Sequence, residues 1–509
     1  MTSVLPRLSP DVVELDDWSI HTLDDHVLVP RYDRASLTPA VVHIGVGGVH
    51  RAHQAVYLDE LARTGETGWG EIGIGLRSPP MRDALVPQDC LYTVVERSGS
   101  GDTARVVGSM TRYLYAPDDP EAVLAVLTDV RTRVVTLTIT GGGYPVGEDG
   151  LFDSTQVDAD LERPERPETA FGYLVEALRR RRQANLPAFT VLSCDNLPDN
   201  GAVTRTATLG LAAARDQSLA TWIDMHTSFP ASMVDRITPG TEDRDRDLVA
   251  EQFGIRDRCP VITEPFTQWV IEDRFCQGRP PLDRVGVRFV DDVSPYKLMK
   301  TRLLNASHSA LGYLGYLAGD YTTSSEAMAN PVIADYLAAL MREEITGLLP
   351  DVPGVDLPAY QRTVLERFAN PRISDQLTRL CGRGSTKMPA YLLPSLMGAV
   401  AAGRPTALLT LAVAGWCRYL QGRDLAGNPI EIRDARKDVL QSLAIGKGGD
   451  PRPLLGVRDI FGRLGDDPEF VRNLQSAIRD LEDYGPAATI AEYLSNELLG
   501  KATTMTAGE

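Results

Sequence analysis

Three polar residues that could do chemistry together lie at short spacing in the segment Ser294–Gly312. Lys300, Asn305 and His308 follow one another at offsets of five and three. On one α-helix, at about 100° per residue, their side chains fall within a face roughly 140° wide. An amine, a carboxamide and an imidazole on one face could handle an alcohol or a carbonyl without a metal. A solvated lysine, a surface asparagine and a buried histidine with ordinary partners would show the same spacing.

The element that must position these residues is a predicted helix beginning near Ser294. Ser294 suits the N-cap and Pro295 suits the first turn, where a missing N–H does no harm. Met299 and Leu303 lie on the side opposite the polar face, and we expect them to anchor the helix in a core.

A glycine turn is the second candidate site. A short apolar run from residue 40 to 44 predicts a buried strand, and apolar residues at helical spacing follow from residue 55. Between them, glycines let the backbone approach phosphates, and a helix N-terminus supplies free N–H groups. We therefore predict a dinucleotide site, although His50 replaces the third glycine of the usual fingerprint. Its residues are Gly45, Val46, Gly47, Gly48 and Val49.

The choice between NAD and NADP depends on the end of the second predicted strand, Gly70–Leu76. NAD-selective sites normally carry an acidic residue there. In this chain no carboxylate follows before Asp83, whereas Arg77, Ser78 and Arg82 are present. Arg77 could bind a 2′-phosphate or stack on adenine, so both cofactors are retained.

Strands and helices alternate up to about residue 290, and long helical patterns dominate afterwards. The chain is therefore predicted to be α/β, with domains at 1–290 and 291–509 and a ligand site in the cleft between them. Among the predicted helices of the second domain are 325–342 and 467–484, the latter with Asp467 as cap and Pro468 in its first turn.

Composition excludes several classes of function. The 509 residues carry a formal charge of −17, which disfavours nucleic acid and anionic membranes as main partners. Six scattered cysteines and seven histidines form no zinc pattern, so we expect no metal. No signal peptide or membrane-spanning run is evident, which predicts a cytoplasmic protein.

In combination, four segments resemble the polyol-specific long-chain mannitol dehydrogenase family across nearly the whole chain. A fifth segment, Gly382–Pro389, adds to the likeness. The four segments are Gly45–Gln54, Ser193–Pro198, Met233–Pro239 and Lys300–His308, the last matching K-x-x-x-x-N-x-x-H.

The resemblance implies a zinc-independent alcohol dehydrogenase with a Rossmann-like N-terminal domain and a mostly α-helical C-terminal domain. It implies that Lys300 is the general base in oxidation and the general acid in reduction. To act as a base near neutral pH, a lysine needs a pKa below its usual value of about 10.4. The other implied roles are oxygen binding by Asn196 and Asn305, hydroxyl binding by His308, and further polar contacts from Asp235, Arg379 and Lys387.

Two residues depart from the family pattern. Relatives commonly carry Glu where this chain has Gly141, and an acidic residue where it has Lys297. Those carboxylates could pass the proton between the lysine and water, so the proton route is open. Lys297 could instead repel the charge of Lys300, or simply face solvent.

The expected reaction is interconversion of a polyol and a ketose with NAD or NADP. Mannitol and fructose are the favoured pair, and D-arabinitol with D-xylulose is a second. The alternatives are a hexuronate reductase acting on fructuronate or tagaturonate, with Arg379, Lys387 or Lys297 binding the carboxylate, and a binding protein that has lost turnover. The expected partners are small molecules only, and the chain is expected to be a monomer or weak oligomer.

Overall fold

The computed structural model divides the chain into two compact units, Met1–Val293 (unit 1) and Ser294–Glu509 (unit 2). No helix in the part of the chain that the structure describes combines the length and apolar character needed to cross a membrane. The described residues are 12–23, 25–319, 321–444 and 449–506, with side chains to residue 495.

Unit 1 is built on a five-stranded parallel sheet, with strands lying side by side in the order β3-β2-β1-β4-β5. This is the strand order of the first five strands of a Rossmann fold, and it confirms the predicted fold class. Strands β4 and β5 are buried throughout, as expected for parallel strands covered on both faces. The strands are β1 (Pro39–Ile44), β2 (Gly70–Gly75), β3 (Met110–Tyr115), β4 (Val134–Leu137) and β5 (Thr190–Ser193).

The described residues of unit 1 also form helices and three smaller sheets. The smaller sheets comprise Tyr92–Ser98 with Gly101–Val107, Val261–Thr263 and Val27–Leu28; Ser232–Asp235 with Gln268–Glu272 and Arg288–Val290; and Val13–Glu14 with Ile255–Arg256. The α-helices are Gly48–Ala52, Gln54–Arg63, Pro79–Leu85, Pro120–Thr128, Asp158–Glu162, Ala170–Gln183, Asn200–Arg215, Gln217–His226 and Asp243–Phe253.

Unit 2 is helical in its described ranges. Three stretches are π-helical: Lys300–Asn305, Leu340–Ile345 and Met388–Leu392. The α-helices are Ser294–Met299, Ala306–Leu317, Ser324–Met328, Pro331–Ala339, Leu357–Phe368, Leu377–Cys381, Gly384–Lys387, Leu393–Ala401, Ala407–Tyr419, Lys437–Ala444, Arg452–Leu455, Arg458–Phe461 and Pro468–Thr506.

Two predicted helices of unit 2 differ in extent from the structure. The predicted helix 325–342 is broken, because Asn330 caps a new helix through Val332 N–H at 3.0 Å and Pro331 occupies its first turn. The predicted helix 467–484 begins as expected, with Asp467 capping Glu469 N–H at 2.8 Å. It then continues past a kink at Gly485.

Candidate active site

The segment carrying Lys300, Asn305 and His308 is not one regular α-helix. It is α-helical over Ser294–Met299, π-helical over Lys300–Asn305 and α-helical again over Ala306–Leu317. In a π turn each N–H bonds the carbonyl five residues back. Asn305 therefore lies about one turn above Lys300, and the roughly 140° separation expected for an α-helix is wrong. Such π turns within α-helices are frequent at functional sites.

The π turn buries its polar side chains. Lys300 is 7% exposed and Asn305 is 9% exposed, while Met299 and Leu303 are fully buried and anchor the segment as predicted. The Nδ2 group of Asn305 is buried without a hydrogen-bond acceptor among the described residues. Because buried polar groups are normally satisfied, this N–H group is suited to an oxygen supplied by a ligand.

Asp375 joins two of the predicted site residues. Its carboxylate, 3% exposed, lies 3.2 Å from His308 Nε2 and accepts hydrogen bonds from Arg379 Nε (2.6 Å) and a terminal guanidinium nitrogen. The His308 ring stacks on Phe368 at 4.6 Å. Burial lowers the pKa of His308 despite the carboxylate, so the ring is neutral at pH 7. Burial would raise the pKa of Asp375, but His308 and Arg379 hold it well below its usual range.

Lys387 also belongs to this cluster. Its ammonium donates to the carbonyls of Leu380 (2.9 Å) and Arg379 (3.1 Å). Burial, with repulsion from Arg379 and Arg383, lowers the pKa of Lys387 to about 8. Unit 2 thus brings His308, Arg379 and Lys387 together around Asp375. Lys297, the residue outside the family pattern, is partly buried one helical turn before Lys300.

Unit 1 contains a pocket of about 560 Å³ at the carboxyl ends of β1, β2 and β4. Of the predicted cofactor residues, Gly45, Val46, Arg77 and Ser78 line it. Gly47, Gly48 and Val49 begin the next helix and are not among its lining residues. Gly45 has φ +101°, and a Cβ there would collide with the Thr138 carbonyl. The backbone approach that a dinucleotide requires is therefore built in at Gly45.

The helix predicted after the glycine turn is two helices. The first, Gly48–Ala52, has five residues, and Gln54–Arg63 follows after a break at His53. The Arg236 guanidinium donates a hydrogen bond to the Ala52 carbonyl at 2.5 Å. In a continuous α-helix that carbonyl would instead accept from the backbone N–H four residues later. Arg236 also bonds the Glu264 carbonyl and Glu96.

His50, in place of the fingerprint glycine, faces the core. Its Nε2 lies 2.8 Å from Glu71 and its ring stacks on His43 with centroids 3.5 Å apart. Burial lowers the pKa of His50 to about 3 and raises that of Glu71 to about 7. Among the described residues these three could offer metal ligands. However, the rings are nearly parallel, so one ion cannot lie in both ring planes, as histidine coordination requires.

The charged residues after β2 differ in their partners. Arg82 pairs with Asp83 (2.8 Å) and Asp118 (2.5 Å). Arg77 is exposed and lines the pocket. Glu168 also lines it and pairs with Arg163 at 2.9 Å. Arg77 is thus the cation that the pocket offers beside Ser78.

The loop after β4 forms one wall of the pocket and contains a strained residue. Thr140 has φ 64° and ψ 161°, which costs a non-glycine residue roughly 1–3 kcal/mol. Gly141, where relatives carry Glu, begins a short turn through Gly143, and a Cβ there would lie 3.2 Å from Leu197. A longer side chain at residue 141 would require Leu197 to shift.

The other predicted residues of unit 1 follow two strands. Asn196 is exposed three residues after the end of β5, and Asp235 is buried at the end of the strand Ser232–Asp235. Sequence reasoning missed two carboxylates. Asp195 lies within the segment Ser193–Pro198 that carried the resemblance, so its place in that segment was an available signal. No sequence signal pointed to Asp375, which is 67 residues from His308.

Family models match most of the chain. The mannitol dehydrogenase Rossmann domain matches residues 39–284, and the mannitol dehydrogenase C-terminal domain matches residues 292–482. Two mannitol dehydrogenases of Saccharomyces cerevisiae are each 44% identical over 491 residues, covering 94% of this chain and 97% of theirs. A mannitol 2-dehydrogenase of Aspergillus fumigatus is 44% identical, covering 92% and 96%.

Solved structures agree with these matches. The Pseudomonas fluorescens mannitol 2-dehydrogenase, solved as a ternary complex with NAD and D-mannitol, is 42% identical with a TM-score of 0.85. The match covers 95% of this chain and 100% of the Pseudomonas chain. A substrate-free D-sorbitol dehydrogenase is 36% identical with a TM-score of 0.88, covering 94% and 100%. The resemblance is confirmed, and the chain belongs to the mannitol dehydrogenase family.

Proposed function

We propose that this protein interconverts a polyol and a ketose by hydride transfer with NAD or NADP, mannitol and fructose being the favoured pair. The observation that carries the proposal is the π turn. It holds Lys300 and Asn305 on nearly the same face, with Asn305 Nδ2 as a buried donor awaiting an acceptor. The relatives named as mannitol 2-dehydrogenases support the same reaction, acting on a secondary alcohol.

In the proposed mechanism Lys300 Nζ takes the proton of the substrate hydroxyl during oxidation and returns it during reduction. Asn305 and Asn196 donate hydrogen bonds to the reacting oxygen as charge develops on it. One well-placed donor of this kind is worth about 2–4 kcal/mol to the transition state. The neutral ring of His308 binds a further hydroxyl.

The residues of the unit 1 pocket fit a dinucleotide, which would supply the hydride acceptor in oxidation and the donor in reduction. Gly45 leaves its backbone open to phosphates, and Arg77 offers a cation near Ser78 at the end of β2. We propose that Arg77 allows NADP to be used beside NAD. The NAD-bound relative supports nicotinamide binding without distinguishing the two.

Arg379 and Lys387, two of the three cations predicted to bind a hexuronate carboxylate, have partners in this chain. Arg379 pairs with Asp375, and Lys387 donates to two backbone carbonyls. A substrate carboxylate would compete with these contacts, so a neutral polyol is favoured over fructuronate or tagaturonate. Retention of buried Lys300 and Asn305 disfavours a binding protein without turnover.

A substrate panel with both cofactors tests the proposal. Purified protein should oxidise mannitol and reduce fructose with higher kcat/KM than it shows for D-arabinitol, sorbitol or fructuronate. Preference for fructuronate would replace the polyol reaction with the hexuronate one, and no turnover of any member would leave only binding.

Cofactor choice is tested with two arginine variants. Arg77→Ala should lower kcat/KM for NADP about tenfold, the worth of one charge-assisted contact, and leave that for NAD within twofold. Arg82→Ala is the matched control, because its guanidinium is already paired. Equal losses for both cofactors would remove the assigned role.

The cytoplasmic location and the monomeric or weakly associated state stay predictions.

A further inference from the structure

The Asp195 side chain ties the loop after β4 to the end of β5. Its Oδ1 accepts from Thr140 N–H at 2.9 Å. Its Oδ2 accepts from Ile139 N–H at 2.9 Å and from Tyr144 O–H at 2.7 Å. Both oxygens are therefore used, and the two backbone bonds hold two consecutive N–H groups, the second of them that of the strained Thr140.

The loop held in this way touches the glycine turn. Thr138 donates its hydroxyl to the Gly45 carbonyl at 2.7 Å, and the Thr138 carbonyl occupies the space where a Gly45 side chain would lie. Residues of the same loop, Thr138, Ile139 and Thr140, line the pocket with Gly45. Displacing the loop would change the shape of the dinucleotide pocket.

The backbone of Asp195 carries Asn196 directly after it. Asn200 Nδ2 donates to the carbonyls of Ser193 (3.2 Å) and Asp195 (3.1 Å). These two bonds hold the backbone on both sides of Cys194. Leu197, on the far side of Asn196, lies against Gly141. Asn196 thus lies between Asp195, whose carboxylate holds the loop, and Leu197, which lies against it.

We propose that Asp195 is a positioning residue that couples the wall of the dinucleotide pocket to the oxygen-binding side chain of Asn196. The proposal rests on the proposed function for the role of Asn196, and on the hydrogen bonds alone for the loop. A carboxylate is required, because an amide would present N–H groups to donors that need an acceptor.

Asp195→Asn is the main test. It should raise the Kd for NAD about tenfold and lower kcat for mannitol about ten- to a hundredfold, as expected for losing hydrogen bonds to a charged group. In hydrogen exchange, the amides of Ile139 and Thr140 should exchange at least about tenfold faster. Asp216→Asn is the matched control: this exposed carboxylate also accepts a backbone N–H, from Ser218 at 2.8 Å, outside the pocket.

A double-mutant cycle separates positioning from general destabilisation. In an Asn196→Ala background, Asp195→Asn should lower kcat less than about threefold, because Asn196 is no longer there to be positioned. The full loss repeated in that background would overturn the coupling. Unchanged NAD affinity together with unchanged amide exchange would overturn the loop contact.

A second variant covers failure of Asp195→Asn to fold. Tyr144→Phe removes one of the three donors to Asp195 and should change NAD affinity, kcat and amide exchange in the same directions, by smaller amounts. Unchanged NAD affinity and amide exchange in this variant would likewise overturn the loop contact. If the wild-type protein turns over no polyol, the proposed function fails. The loop contact is still decided by NAD affinity and amide exchange.

Discussion

The pocket of unit 1 and the π-turn site of unit 2 prepare for ligands in different ways. The pocket relies on main chain: a glycine with no room for a side chain and a loop held by Asp195. The π-turn site relies on buried side chains, with Lys300 and Asn305 taken out of water. Losing a side chain should therefore matter most in unit 2, and adding one should matter most in unit 1.

The largest expected effect tests the side-chain half of this comparison. Lys300→Ala should lower kcat for mannitol oxidation about 10²–10⁴-fold, the usual contribution of a general base. The Kd for NAD should change less than about twofold. Steady-state kinetics and calorimetry measure both, with exposed Lys437→Ala as control. Near wild-type turnover would remove Lys300 from proton transfer.

The next effect concerns the carboxylate beneath His308. Asp375→Asn should lower kcat/KM for mannitol about ten- to a hundredfold, because a buried charged contact is lost. It should also release Arg379, so the kcat/KM ratio of fructuronate to fructose should rise. Asp356→Asn is the control, since that residue caps a helix at Ala359 N–H, 3.0 Å away. A ratio that stays constant would show that Arg379 is not restrained by Asp375.

Two glycine variants sharpen the main-chain half. Gly45→Ala forces an unfavourable φ and a collision, so the free energy of unfolding should fall by about 1–3 kcal/mol and NAD affinity about tenfold. In Gly47→Ala the new Cβ meets only the Gly45 carbonyl, at 3.8 Å. The free energy of unfolding should therefore stay unchanged. Any loss of NAD affinity would then come from contact of the new methyl group with the bound dinucleotide. Denaturant unfolding and calorimetry distinguish the two. Equal destabilisation by both variants would contradict this distinction.

The smallest effect is a dependence of stability on pH. The pKa of Lys387 is lowered to about 8 in the folded protein and returns to about 10.4 on unfolding. Between these values the unfolded state binds more protons, so Lys387 makes stability rise with pH. Lys387→Met should remove that rise, measured by urea unfolding at pH 7.5, 8.5 and 9.5, and Lys437→Met should keep it. The same slope in Lys387→Met and wild type would contradict the lowered pKa.

Much of unit 1 could be predicted, because its signals are local. Short apolar runs bounded by glycine marked β1 and β2 within one residue of their ends. The break at His53 could not be foreseen, since the Ala52 carbonyl before it is bonded by Arg236, which lies 184 residues along the chain. His50 likewise looked like a missing glycine, and only the fold reveals Glu71 and His43 around it.

In unit 2 the site residues were identified through the motif, but their arrangement was not. Lys-Thr-Arg-Leu-Leu-Asn is an ordinary helical sequence, and nothing in it separates an i→i+5 turn from an i→i+4 turn. The π turn depends on tertiary packing that local sequence does not encode. Asp375 could not be predicted from the sequence for the same reason, because the fold brings His308 to it from 67 residues away.

The π turn also determines which chain length keeps the site residues on one face. A π turn accommodates one more residue than an α turn over the same rise, so deleting one residue between Lys300 and Asn305 would let the helix continue without interruption. Asn305 would then follow Lys300 at the i→i+4 spacing of an α-helix, about 40° from it and on the same face. A regular α-helix of the present length would instead rotate Asn305 and His308 by about 100° relative to Lys300. Substitutions at Thr301 or Arg302 that turned the segment into regular α-helix without changing its length would cause this rotation. The spacing of this motif is thus a matter of chain length as much as of residue type.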